Sequence, residues 1–312
     1  MEELHSYSPE DIVLANLGEL SMRLARISEQ ELAHLHELAQ EITAGADFTP
    51  EFLASLTERR TLSAPLTDGC LLQNAAIVGA KQAMEQAWRS IFLCKEIYKR
   101  LSEKAPLTPD AFFNDTEELE EGAVNRIIYQ RNSYADEAYL RFSNLLTMPR
   151  ATYSKSFAAA CESVYNRECE YCILPIESSA DGQLTGFWRL ITRYGLKLTA
   201  ICDITAANQT TRFALLRATP TVLTTARRAN RFFDCSITDA SRNLTNVLYA
   251  AQCCGLALSK IHSEEHFSKD ASPHTVHLTF CADDGELTSF LLYLFLEQPT
   301  HTLIGLYPYL EP

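Results

Sequence analysis

Residues 171–179 read Tyr171-Cys-Ile-Leu-Pro-Ile-Glu-Ser-Ser179, and this stretch decides the fold class. It opens with an apolar run that ends at Ile176, and such a run predicts a buried strand. A helical pattern precedes the run at 156–164, and another follows it at 186–194. Strand patterns lie further out on both sides. Because strands alternate with helices, we expect an α/β lobe of βαβ units with a mainly parallel sheet.

The C-terminal part of the chain has a different order of patterns. The sequence predicts a strand at 232–237, a helix at 243–253, strands at 256–263 and 274–281, a helix at 285–296 and a strand at 302–306. In the third strand Val276, Leu278 and Phe280 alternate with polar residues, so they are expected on one buried face. The βαββαβ order predicts a ferredoxin-like split unit.

The N-terminal part predicts only helices. Ser28-Glu-Gln-Glu31 matches a capping box, and Thr49-Pro50 is typical of a helix start. A run without proline, 70–104, has helical apolar spacing and predicts one long helix. Thr108-Pro109 predicts another short helix. We therefore predict an α+β / α/β chain in three parts: an all-helical module at 1–123, for which dimerisation is a candidate role, a single α/β lobe at 124–220 and a ferredoxin-like domain at 221–312.

Composition narrows the classes of partner. The 312 residues carry a net charge of −13, which argues against a nucleic acid and against an anionic membrane surface. No apolar run is long enough to cross a bilayer. The acidic start, Met1-Glu-Glu-Leu-His5, is unlike a secretory signal, so a cytoplasmic protein is expected.

The ten cysteines predict neither a metal site nor disulfides. Cys169-Glu-Tyr-Cys172 is a CxxC, but the chain contains no second one, so a zinc ribbon is excluded. We expect these cysteines to be reduced, buried and apolar in role. The histidines are not spaced with carboxylates as metal ligands would be. No metal and no cofactor is expected.

Five short motifs resemble one enzyme family. Pro175-Ile-Glu-Ser-Ser179 is similar to the Pro-Ile-Glu-Asn-Ser signature of prephenate dehydratases, and Thr211-Arg-Phe213 matches their Thr-Arg-Phe. Tyr153-Ser-Lys-Ser-Phe157 looks like their Ser-Phe segment. Leu256-Ala-Leu-Ser-Lys-Ile261 and Leu303-Ile-Gly-Leu-Tyr-Pro308 are similar to strands of the regulatory ACT domain that follows the enzyme. From about Arg126 to its end, the chain resembles a prephenate dehydratase with a C-terminal ACT domain.

The resemblance implies a chemistry in which prephenate loses its ring hydroxyl and a carboxylate. It implies that the Thr211 hydroxyl assists the leaving group, that Arg212 clamps a carboxylate and that Phe213 excludes water. It also implies that Glu177, Ser178 and Ser179 line the substrate cleft. The alternative for Thr211 is that it is an ordinary β-branched strand residue.

For the ACT domain the resemblance implies a site for a small effector. The effector motifs align with the start of the second-to-last helix and with the strand after it, at Asn246, Val247, Leu248, Tyr249, His262, Ser263 and Glu264. The implied ligand is an aromatic amino acid such as phenylalanine, bound at the interface of a homodimer. Another small ligand, or a structural domain that dimerises through its sheet, are the alternatives.

Two departures separate the chain from the family. The family has a complete second lobe between its two signatures, whereas Glu177 and Thr211 are only 34 residues apart. That length holds one helix and one strand, so the cleft would lack a wall unless the N-terminal helices or a second subunit supply it. The glycine-rich turn after the first strand is replaced by Gln130-Arg-Asn-Ser-Tyr134, which has no glycine.

These features leave two functions open. The first is a degenerate dehydratase that acts as a ligand-binding, regulatory ACT protein of phenylalanine biosynthesis, without turnover. The second is an active minimal prephenate dehydratase. For the N-terminal helices, a chorismate-mutase-like domain is the alternative to a packing or dimerisation module. The basic residues available for a mutase-like site in these helices are Arg23, Arg26, Arg59, Arg60, Arg89 and Lys95.

Overall fold

The computed structural model describes residues 29–58, 75–113, 124–206, 208–223, 231–238, 244–264, 275–282, 284–298 and 300–311. Among these residues, the N-terminal part is helical, as predicted. It contains α1 (Glu29–Thr43), α2 (Pro50–Glu58), α3 (Ala75–Lys104) and a 3-10 turn (Pro109–Phe112).

The predicted cap of α2 is confirmed. The backbone N–H of Phe52 donates to Thr49 Oγ1 over 3.2 Å, and Pro50 occupies the first helical position, where no N–H partner is needed. The predicted long helix is also confirmed, because α3 spans 30 residues. The predicted capping box at Ser28 lies outside the described residues.

The middle of the chain forms the predicted α/β lobe. Its elements are β1 (Asn125–Gln130), α4 (Ser133–Ser143), β2 (Pro149–Ser154), α5 (Phe157–Tyr165), β3 (Tyr171–Ser178), β4 (Gly182–Gln183), α6 (Thr185–Tyr194), β5 (Lys197–Ala206) and β6 (Gln209–Arg217). Ser156 caps α5 as predicted, since its Oγ accepts from the N–H of Ala159 over 3.2 Å.

The expectation of a mainly parallel sheet in this lobe is wrong. Only β1 with β2 and β1 with β3 are parallel, whereas β6 is antiparallel to both β3 and β5. The reason is the short connection between β5 and β6, residues 207–208. It is too short for a crossover and permits only a hairpin, with Asn208 at φ +65°.

The C-terminal part contains β7 (Arg231–Thr238), α7 (Leu244–Cys253), β8 (Ala257–Glu264), β9 (Thr275–Cys281), α8 (Asp284–Glu297) and β10 (His301–Leu310). This is the predicted βαββαβ order. The strands lie in the order β10-β7-β9-β8, and each neighbouring pair is antiparallel. Val276, Leu278 and Phe280 share one buried face of β9, as predicted.

The lobe and the C-terminal part share one continuous sheet. The strand order across it is β2-β1-β3-β6-β5-β10-β7-β9-β8, with β4 added at the end of β3. The junction is β10, which pairs with β7 over most of its length and with β5 through Tyr309 and Leu310. At Gly305 the two parts approach so closely that an added Cβ would lie 2.3 Å from the carbonyl oxygen of Leu198.

Apolar side chains pack on both faces of this sheet. In the lobe, Ile173 and Leu215 belong to the cluster under α4, and Leu174 and Leu216 to the cluster under α5 and α6. In the C-terminal part, one face packs against α7 and α8, which the N-terminal helices cover in turn. The opposite face of the C-terminal sheet turns toward α6 and the lobe, and a cavity lies there.

Candidate functional site

An ion network sits where β3, β5 and β6 lie side by side. Strand register places Arg212 between Asp203 and Glu177. Arg212 donates to both carboxylate oxygens of Asp203, from Nε over 2.7 Å and from Nη2 over 2.9 Å, and its Nη1 donates to Glu177 Oε2 over 3.2 Å. The guanidinium is therefore engaged on two sides by carboxylates of its own chain.

The network extends toward the C-terminal sheet. Lys260 on β8 pairs with Glu177, and the hydroxyl of Tyr309 donates to Asp203 Oδ2 over 3.1 Å. Hydrogen bonding to Asp203 raises the pKa of Arg212. Burial by itself would raise the pKa of Asp203, but the hydrogen bonds from Arg212 outweigh burial and lower it. Both groups are therefore charged at neutral pH.

A β-bulge in β3 explains why Glu177 faces Arg212. Pro175 opposes Phe213 and Glu177 opposes Arg212, so Ile176 is an extra residue in the ladder. The bulge turns Ile176 and Glu177 toward the same face. Proline is tolerated beside the bulge because the pairing of β3 with β1 involves only residues 171 and 172, before the proline is reached.

The cavity lies beside this network and has a volume of about 380 Å³, within the range of small-molecule sites. The lobe contributes Glu177, Trp188 and Arg212 to its lining. The C-terminal sheet contributes the facing wall, which includes Phe232, Asp234, Lys260, His262, His277, Thr279 and Tyr307. The wall opposite Arg212 thus comes from the C-terminal sheet, and no described residue of the N-terminal helices, which pack on the far side of that sheet, lines the cavity.

Asp234 is the most deeply buried acid of the lining. Its exposed fraction is 3%. The hydroxyls of Thr279 and Tyr307 bond to its carboxyl group, whereas its Oδ1 has no hydrogen-bond partner within the part of the chain that the structure describes. Burial raises the pKa of Asp234 to about 6, although those hydroxyls and the charge of Lys260 act in the opposite direction.

The residues predicted for catalysis are divided between the two faces of the sheet. Ala214 and Leu216 pack under α5 and α6, whereas Phe213 and Leu215 pack under α4. Side chains alternate along a strand, so Thr211 lies on the face of Phe213, and Arg212 lies on the cavity face. The cavity lining accordingly includes Arg212 and Glu177 but not Thr211 or Phe213.

Ser178 and Ser179 hold the ends of β3 and β6 together. Ser178 is buried and pairs in register with Thr211. Its Oγ accepts from Gln209 Nε2 over 3.1 Å, and Ser179 Oγ accepts from the N–H of Thr210 over 3.0 Å. These bonds stabilise the strand ends, whatever further role the two hydroxyls have.

The predicted effector residues lie on two elements, α7 and β8. On α7, Val247 is fully buried, and Leu248 and Tyr249 pack against the same cluster beneath α3. Asn246 is half-buried on the same helix. The second group, His262, Ser263 and Glu264, is on β8, and only His262 among them lines the cavity. The effector roles of these seven residues stay predictions.

The turn without glycine, 130–134, needs no left-handed residue. None of its residues has a positive φ. Asn132 instead begins α4, because its Oδ1 accepts from the N–H of Ala135 over 2.9 Å. The sequence thus replaces a flexible turn with a helix cap.

Two of the basic residues considered for a mutase-like site can be located. Arg89 Nη2 donates to Glu31 over 2.7 Å on the surface, and Lys95 Nζ donates to the carbonyl oxygen of Cys253 over 3.4 Å. The other four, Arg23, Arg26, Arg59 and Arg60, lie outside the described residues.

The cysteines behave largely as expected. Those described are free thiols, and seven of them are buried: Cys94, Cys161, Cys169, Cys172, Cys202, Cys235 and Cys254. The exception is Cys281, which is exposed. Within the described residues, no group of His, Cys, Asp and Glu side chains forms a metal cage. None of the described helices is long and apolar enough to cross a membrane.

Sequence reasoning missed Asp203, Asp234 and Lys260. One signal was available for Asp234, which is an acid inside the apolar strand Phe232-Phe-Asp-Cys-Ser-Ile237. An aspartate is rarely buried in the interior of a protein unless its carboxyl group is paired with another group. No comparable signal marked Lys260, because a lysine on an edge strand is ordinary.

No protein-family model matches the chain, and no curated protein matches it. Among solved structures, it is similar to prephenate dehydratase from Streptococcus mutans, with 16% identity and a TM-score of 0.48 over 59% of this chain and 98% of that one. It is also similar to prephenate dehydratase from Arthrobacter aurescens in complex with L-Phe, with 14% identity and a TM-score of 0.46 over 59% and 90%. A third, GqqA, is described as a novel type of quorum quenching acylase, with 16% identity and a TM-score of 0.47 over 60% and 96%. Likeness at these identities concerns the fold and assigns no function to this chain.

Proposed function

We propose that this chain is a non-catalytic, ligand-binding relative of the prephenate dehydratases that carries a regulatory ACT domain. It would act in phenylalanine biosynthesis in the cytoplasm by binding a small molecule, either prephenate or an aromatic amino acid. The observation that carries the proposal is the state of Arg212. Its guanidinium already makes three hydrogen bonds to Asp203 and Glu177, at 2.7, 2.9 and 3.2 Å.

For Arg212 to clamp a carboxylate of prephenate, as catalysis would require, the substrate would have to displace these two carboxylates. Arg212 is hydrogen-bonded directly to both carboxylates, and breaking such charge-assisted hydrogen bonds at a half-buried position costs free energy. The second reason is geometric. Dehydration needs the leaving-group partner and the carboxylate clamp in one cleft, whereas Thr211 and Arg212 are on opposite faces of the sheet.

The regulatory part of the proposal is supported by the C-terminal topology. Four antiparallel strands with two helices on one face, in the order βαββαβ, are the arrangement expected of an ACT domain. Its outer strand β8 is an edge that exposes Leu258 and Ile261, at 42% and 52%. An exposed apolar edge favours pairing with a second copy, so we propose a homodimer.

The second candidate function is an active minimal dehydratase. One observation favours it, namely the register that places the hydroxyl-bearing residues Ser178 and Thr211 side by side. Two hydroxyls on neighbouring strands are able to bond a departing group. In that case the substrate would bind on the α4 face of the sheet, away from the cavity.

The deciding experiment is the conversion of prephenate to phenylpyruvate by the purified protein at neutral pH. We expect no product above the uncatalysed rate. We also expect that prephenate or L-phenylalanine raises the melting temperature by a few degrees, because a ligand that binds only the folded state stabilises it.

Two results would contradict the proposal. One is turnover that Thr211→Ala abolishes and that Thr152→Ala, a matched change on the outer strand β2, leaves intact. That result would establish the minimal dehydratase. The other is the absence of both turnover and any ligand-induced stabilisation, which would remove the ligand-binding function.

A further inference from the structure

We infer that the cavity between the lobe and the outer face of the C-terminal sheet binds a small organic molecule with a protonated amino group, and that Asp234 is its counter-ion. The inference deepens the proposed ligand-binding function and rests on it, since it names a site and a class of ligand. Asp234 lines the cavity, is 3% exposed and has an Oδ1 without a partner among the described residues.

The other charges around the cavity are already matched. Arg212 is paired with Asp203 and Glu177, and Lys260 is paired with Glu177. This chain of ion pairs contains two cations and two carboxylates, so it is neutral as a unit. Asp234 therefore adds a negative charge that no cation of the site balances. A buried carboxylate without a counter-ion is expensive, and a ligand that brings a positive charge would remove that cost.

The apolar part of the lining suits an ammonium group as well. Trp188 and Phe232 line the same cavity as Asp234. Phe232 and Tyr307 are stacked with ring centroids 6.3 Å apart, which gives the wall an aromatic surface. Aromatic faces attract cations and repel anions, because their quadrupole is negative above the ring. A carboxylate combined with aromatic walls is thus a recognition site for an amine.

Other ligand classes fit less well. A metal ion would need at least three donors, and the described residues provide no such group. An anion would have to compete with Glu177 and Asp203 for Arg212 and Lys260. It would also lie near the unbalanced Asp234, where like charges repel.

The test uses two probes of nearly equal size and opposite charge, 2-phenylethylamine and 3-phenylpropionate, titrated into the full-length protein by calorimetry. We expect saturable binding of the amine and none of the anion, up to about 10 mM. Asp234→Asn keeps the shape but removes the charge, and we expect it to weaken amine binding at least about tenfold. Glu137→Gln, on the exposed side of α4, is the matched control and should leave the affinity unchanged.

The pH profile separates a counter-ion from a merely structural acid. Since burial raises the pKa of Asp234 to about 6, amine affinity should fall about tenfold per pH unit below that value. The same profile in Asp234→Asn should be flat over this range. Titratable or charged groups that face Asp234 come from several strands, namely Glu177, Arg212, Lys260, His262, His277 and Tyr307. His262→Gln is therefore measured in parallel, and we expect its amine affinity to fall with pH as steeply as that of the wild type.

Three results would overturn the inference: no amine binding up to the highest concentration, equal binding of both probes, or amine binding that Asp234→Asn does not change. Denaturant unfolding of Asp234→Asn confirms that the variant is folded. The outcome is independent of prephenate turnover, so this inference and the proposed lack of catalysis can fail separately.

Discussion

At the scale of single residues, Asp234 is the most unusual position. Its carboxyl group is buried within the C-terminal sheet, and its pKa is raised to about 6, whereas an exposed aspartate titrates near 3.9. The folded state therefore binds this proton more tightly than the unfolded state. Burial of Asp234 does not destabilise the folded state below about pH 4, where the carboxyl group is protonated in both states. The destabilisation grows as the pH rises toward 6 and is largest above that value.

The first prediction follows from this destabilisation of the folded state at high pH. Asp234→Asn should raise the free energy of unfolding at about pH 7.5 by roughly 1–3 kcal/mol, because two pKa units correspond to roughly 3 kcal/mol. At about pH 5 the gain should be clearly smaller, because most of the wild-type carboxyl groups are then protonated. Urea unfolding at both pH values measures this. A variant that loses stability at both would show that the carboxylate is satisfied within the protein.

At the scale of elements, α8 shows how packing outweighs amphipathic pattern. The helix is apolar on every side: Leu291, Leu292, Tyr293 and Leu294 are each at most 1% exposed, although four successive helical residues point to different sides. A helix of this kind needs cover on both faces. Phe290 packs against Phe233 and Phe280 of the C-terminal sheet on one face, and α2, α3 and the 3-10 turn cover the other.

The second prediction tests whether α3 is an integral layer. Leu93 is fully buried in the cluster that α3 shares with α7 and α8. Leu93→Ala should lower the free energy of unfolding by about 2–5 kcal/mol, because it leaves a cavity in that layer. Lys99→Ala, exposed on the same helix, should change it by less than about 0.5 kcal/mol. Similar values for the two variants would mean that the N-terminal helices are only loosely attached.

At the scale of the whole molecule, β10 joins the two parts of the sheet. It pairs with β7 on one side and with β5 on the other, and its register with β7 shifts between Leu303 and Gly305. At that shift the backbone of β10 passes directly over Leu198. Only glycine fits there, since a Cβ would lie 2.3 Å from the Leu198 carbonyl oxygen and 2.9 Å from its Cβ.

The third prediction concerns this junction. Gly305→Ala should lower the free energy of unfolding by about 2 kcal/mol or more, because the obstructing atom is backbone and cannot rotate away. Hydrogen exchange should become faster in β5 and in β10 together. Gly186→Ala in α6, where an added Cβ meets no atom within 4 Å, is the control and should be neutral or stabilising. Equal effects would show that the junction is not tightly packed.

The amino-acid sequence by itself determined the elements. The caps at Thr49 and Ser156, the alternation in β9 and the βαββαβ order were all predicted, because they depend on hydrogen bonds and side-chain periods within a few residues. The helix and strand expected between Glu177 and Thr211 are present as α6 and β5, with the short β4 before them.

Only the tertiary structure decided how these elements meet. The bulge that turns Glu177 toward Arg212 and the sheet that places Asp234 opposite them involve residues far apart in the chain. Such pairings are chosen by which apolar faces bury each other best, and no local pattern encodes that choice. The motifs identified residues of the lobe, whereas the cavity exists because β10 joins the C-terminal sheet to the lobe and so places residues of β7, β8 and β9 opposite them.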